Sequence, residues 1–71
     1  MHHDARIARV TQIVAESTES FQDAVMLGYK RASKTLRGIT GLRVKEQYAD
    51  VAEGTILKFR VTLDVIFILE G

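Results

Sequence analysis

The C-terminal segment constrains this chain most. Leu57, Phe59, Val61, Leu63, Val65, Phe67 and Leu69 place an apolar residue at every second position. Such a repeat marks a strand with one buried face. The other face begins polar with Lys58, Arg60, Thr62 and Asp64, then turns apolar at Ile66 and Ile68. One helix laid over the first face would leave these two isoleucines in water, so they require a second cover. A chain of 71 residues without cysteine has room for one small core and no disulfide to supplement it. Other copies of the same chain are the cover this pattern predicts, with Ile66 and Ile68 at the interface.

The remaining segments fit the same sheet. Residues 5–14, dense in β-branched Val10, Thr11, Ile13 and Val14, predict a first strand. Ser17-Thr18-Glu19-Ser20 reads as a helix start: the Ser17 hydroxyl accepts from an orphan N–H and Glu19 suits the positive dipole end. Phe21, Ala24, Val25, Gly28, Ala32, Leu36 and Ile39 recur at three- and four-residue steps, predicting a helix from about 18 to 37. Lys30, Arg31, Lys34 and Arg37 suit its negative end, and Gly38 stands where a left-handed cap is expected. Residues 42–50 and 55–69 predict two further strands joined through Ala52-Glu53-Gly54. A two-residue turn at Glu53-Gly54 sets Val44 opposite Leu63 and Tyr48 opposite Phe59 on the apolar face. Arg43 then faces Asp64 and Gln47 faces Arg60 on the other. The expected fold is α+β, in the order β-α-β-β, with one helix on a three-stranded antiparallel sheet centred on the last strand. Residues 1–71 read as a single domain.

Several functions are excluded on composition. Val, Ile, Leu and Phe supply 22 of the 71 residues, which argues against disorder. The longest apolar run, Val65 to Leu69, is too short for a membrane span, and residues 1–12 are too mixed for a signal peptide. A cytoplasmic protein without a membrane partner is expected. Ten basic against nine acidic residues give a net charge of +1, too balanced to announce a nucleic-acid partner. Gly38-Ile39-Thr40-Gly41 matches the G-x-x-G loop that clamps nucleic-acid backbones in KH domains. A strand pattern follows at Leu42, however, so a helix-to-strand turn is the better reading. No aromatic is expected among Arg43, Lys45, Lys58 and Arg60 to stack bases. Catalysis lacks parts as well: no cysteine, two adjacent histidines (His2, His3), no phosphate-binding glycine loop, and Glu46 as the one carboxylate on the predicted buried face. No enzyme, zinc or haem is expected. Carboxylates such as Asp64, Glu70 and Asp50 are candidates to converge on a hard cation from neighbouring copies.

Specific stretches then resemble a known family. They are Val10-Thr11-Gln12-Ile13-Val14, the helix entry Ser17-x-x-Ser20-Phe21-x-x-Ala24, Arg31-Ala32-x-x-Thr35-Leu36, and Phe59-Arg60-Val61-Thr62-Leu63-Asp64-Val65-x-Phe67-x-Leu69-Glu70. In this order they resemble the dodecins over nearly the whole chain. The resemblance implies a hollow homododecamer with helices outside and sheets lining the interior, which would cover Ile66 and Ile68. It also implies storage of flavins (riboflavin or FMN) without catalysis, or calcium binding in some members that lack a tryptophan. In the family a tryptophan opening the second strand stacks on the flavin ring and a glutamine in the third strand hydrogen-bonds it. Those positions fall on Gly41 and Arg60. With Arg43, Lys45 and Gln47 they make up the ligand-binding positions that the resemblance implies. Loss of one stacked aromatic costs about 1–3 kcal/mol. Arg60 in turn offers a planar guanidinium for stacking or a charge for phosphate or carboxylate.

Overall fold

Burial of the period-two face orders the structure, a computed structural model that describes residues 7–69. The elements are β1 (Ala8–Ser17), α1 (Phe21–Ser33), β2 (Ile39–Ala52) and β3 (Thr55–Ile68). They form one antiparallel sheet in the order β1-β3-β2, so the most apolar strand is central as expected. Val61, Leu63 and Val65 are fully buried on the α1 side of β3. Ala24, Ile13, Ala15, Phe21 and Val25 pack on Val61 and Leu63, and Phe21 meets Phe59 edge-on with centroids 5.0 Å apart. Helix and sheet approach closely at Gly28, where a Cβ would stand 2.9 Å from Leu63 and 3.2 Å from Ala15.

The helix is shorter than its pattern at both ends. Ser17 closes β1 instead of opening α1: its hydroxyl accepts from the Glu19 N–H at 2.9 Å and donates to Asp23 at 2.6 Å. Ser20 is the N-cap, accepting from the Asp23 N–H at 2.9 Å, and Asp23 in place of Glu19 meets the positive end. At the other end Thr35 and Leu36 donate back to the Ala32 carbonyl, closing the last turn at 3.1 and 2.9 Å. Gly38 does adopt φ +72°, but beyond the helix cap at Lys34, in the turn entering β2. A Cβ there would come within 3.1 Å of the Ile68 carbonyl oxygen, so the strand's approach demands glycine. This is the helix-to-strand turn the sequence favours.

Glu53 and Gly54 make the two-residue turn with φ 51° and 75°. The Val44–Leu63 and Arg43–Asp64 pairs form as expected. Between Val44 and Glu46 the register slips, with Lys45 as the extra residue of a β-bulge. Beyond it Tyr48 pairs with Arg60 and Gln47 with Val61, so the expected Tyr48–Phe59 and Gln47–Arg60 pairs do not form. The bulge exchanges the faces of Tyr48 and Gln47. It also places Glu46 opposite Thr62, away from the helix, which removes it from the buried row.

One side of the sheet remains bare. Val10 pairs with Ile66 and Ala8 with Ile68 on that side, and Val10 and Val14 are 58% and 61% exposed. The radius of gyration is 15.4 Å, against about 11 Å for a compact chain of this length. The long β2–β3 hairpin leaves this face open along its length.

Candidate functional site

The polar half of the bare face carries the only dense network of side-chain contacts among the described residues. Arg60, from the middle of β3, reaches both flanking strands. Its Nη2 lies 2.7 Å from Glu16 on β1 and 3.1 Å from Asp50 on β2. Its Nη1 donates to the Tyr48 hydroxyl at 2.6 Å, and the guanidinium carbon is 5.3 Å from that ring's centroid. Lys58 adds a 3.4 Å ion pair to Glu16. The hydrogen bond to Tyr48 does most to raise the Arg60 pKa; burial opposes it, and the Asp50 and Glu16 carboxylates reinforce it. Arg60 is therefore a fixed cation at every working pH. Its Nε is buried and has no hydrogen-bond partner.

A second polar group lies further along the face. Asp64 is 8% exposed, accepts from Gln12 at 3.2 Å and lies 4.0 Å from the Lys45 ammonium. Arg43 sits opposite it across the β2–β3 ladder. These contacts engage the Asp64 carboxylate within its own chain. Glu70 lies outside the described residues. Asp50, the third carboxylate considered for a cation, is held by Arg60. No group of three or more His, Cys, Asp or Glu gathers among the described residues.

The expected ligand positions separate into three places. Gly41 pairs with Ile66 near one end of the sheet, six positions along β3 from Arg60. That is about 20 Å at strand rise, too far for one small ring to touch both in a single chain. Arg43 and Lys45 lie between them on the same face. Gln47 does not: the bulge moves it to the helix side, opposite Val61. Tyr48 and Glu16 were missed as site residues, and Tyr48 supplies the aromatic that had not been expected among the basic residues. One signal of the bulge is present in the sequence, since apolar residues of β2 change phase from Leu42 and Val44 to Ala49 and Val51.

Fold and face define a class: a small α+β subunit with one uncovered sheet surface. Comparison makes the class specific. The Dodecin family model matches residues 7–70. The dodecin of Thermus thermophilus is 31% identical over 65 residues, covering 92% of this chain and 94% of that protein. The dodecin structure from Streptomyces coelicolor superposes with a TM-score of 0.90 at 29% identity, covering 97% of this chain and 99% of that one. A calcium-chelating immunodominant antigen of Mycobacterium tuberculosis, a calcium dodecin, gives 0.77 at 29% identity, covering 90% and 91%. The chain belongs to the dodecin family.

Two features of the face bear on whether a flavin fits. The polar edge of a flavin ring is rich in acceptors, and Arg60 offers donors only: its Nη1 keeps one N–H beyond the bond to Tyr48, while the unpartnered Nε is buried. At Gly41 there is space but no ring: a Cβ there meets only Ile66, at 3.7 and 4.0 Å. The donor chemistry fits an acceptor-rich ring such as a flavin, while Gly41, the expected stacking position, carries no aromatic.

Proposed function

We propose that the protein is a non-catalytic homododecameric shell of the cytoplasm that binds and sequesters a flavin of the riboflavin or FMN type. The observation that carries this reading is the bare sheet face, which joins an apolar end (Val10, Ile66, Ile68) to the polar cluster around Arg60. The apolar end asks for contact with further copies, and the polar end offers donors to a small ligand. Gly41 and Arg60 are too far apart to serve one ring within a chain, so a site using both draws them from different subunits. Arg43 and Lys45 line the same face between them. Membership of the dodecin family supports the assembly and the ligand class together.

A native mass spectrum with excess riboflavin tests the reading. Twelve-chain particles carrying flavin adducts are the expected result. Twelve-chain particles without adducts would leave the shell and overturn the ligand. A second reading, a shell that binds calcium or anions, is favoured by the calcium dodecin relative. It predicts stabilisation by calcium and none by riboflavin in thermal melts.

A further inference from the structure

Tyr48 is the one aromatic side chain among the described residues that the register brings to the uncovered sheet face. Its ring is held in place: the hydroxyl accepts from Arg60 at 2.6 Å, and Arg60 is anchored by Glu16 and Asp50 at 2.7 and 3.1 Å. All three strands thus contribute to one frame. The residue nevertheless remains 44% exposed in the single chain. An aromatic that is fixed yet open has surrendered its rotamer freedom before a ligand arrives, so stacking on it loses little further entropy. The guanidinium beside it is planar, with donors left over after its three contacts.

We infer that Tyr48, framed by Arg60, Glu16 and Asp50, is the surface on which this protein stacks the planar ring of its ligand. Arg60 supplies donors to the carbonyl acceptors at the ring's edge. This inference rests on the flavin reading above and deepens it, because Gly41 has no ring to offer. It also narrows the ligand. Lys58 and Arg60 are balanced by Glu16 and Asp50, so the frame has no net charge and favours an uncharged ring over one carrying phosphate.

Riboflavin titration, read by quenching of flavin fluorescence, tests the platform in the full-length native protein and in three variants of matched native mass. The native protein binds and quenches. Tyr48→Phe keeps the ring and stays within about threefold in affinity, whereas Tyr48→Leu loses about ten- to a hundredfold together with the quenching. Tyr48→Leu binding as tightly as the native chain overturns the platform. If Tyr48→Leu changes the assembly, Tyr48→Trp decides: a larger ring tightens binding, and unchanged affinity overturns the inference. Riboflavin that fails to bind the native protein overturns the flavin reading and the platform with it. Binding that both Tyr48→Leu and Tyr48→Trp leave unchanged overturns the platform alone. FMN binding more tightly than riboflavin at low salt overturns the charge argument.

Discussion

Gly41 has room for the ring it lacks. A Cβ there makes only ordinary contact with Ile66, so the backbone accepts a side chain without strain. Gly41→Trp is expected to strengthen riboflavin binding by one to two decades, from about 1–3 kcal/mol of stacking. Isothermal titration checks it, and unchanged affinity would remove Gly41 from the site. Gly28 is the opposite case. A Cβ there presses on Leu63, which is fully buried, and on Ala15. Gly28→Val is expected to destabilise by about 1–3 kcal/mol through overpacking, measured by denaturant unfolding. The positive φ of Gly38 and the placement of Ile66 and Ile68 on the face away from the helix were legible in the sequence, because handedness and strand parity are local properties. The division of labour between Ser17 and Ser20 was not. Both serines suit a cap, and the choice depends on where β1 stops, which pairing with Phe59 decides.

The elements divide in the same way. The α1 stripe follows from periodicity and the strand order from the hydrophobicity of the last strand, whereas the two-residue turn is an assumption that periodicity does not fix. The two slips, between Asp50 and Val51 and at Lys45, follow from neither, although the first decides which residue Tyr48 faces. A two-residue turn counted forward gives a correct ladder until the first extra residue, after which every side chain changes sides. Arg43–Asp64 is correct because the slip at Lys45 compensates the earlier one between Asp50 and Val51. Deleting Lys45 should therefore leave Tyr48 opposite Arg60, at the loss of a long ion pair to Asp64. Nuclear Overhauser contacts check this: Tyr48 with Arg60 is expected, and Tyr48 with Phe59 would overturn the bulge. The helix stops short of its stripe. Leu36 and Ile39 continue the apolar spacing after the backbone has left the helix, because they pack from a turn and from β2.

At the scale of the whole molecule the bare face is decisive. Ile66 lies outside the core beneath α1, so Ile66→Lys should leave helix and strand content intact by circular dichroism. The same substitution places an ammonium against whatever covers the face, an unpaired charge that costs several kcal/mol on burial. Native mass spectrometry should then show smaller species, and a full-mass particle would overturn the interface assignment. The radius of gyration of 15.4 Å reflects the extended hairpin that presents this face. The sequence alone established the order of elements, the central strand and the apolar patch outside the helix-covered core, because these follow from apolar periodicity along one strand. The tertiary structure alone decided the composition of the Arg60 cluster. Glu16, Tyr48, Asp50 and Arg60 come from three strands, and their meeting depends on a pairing register that a single extra residue shifts.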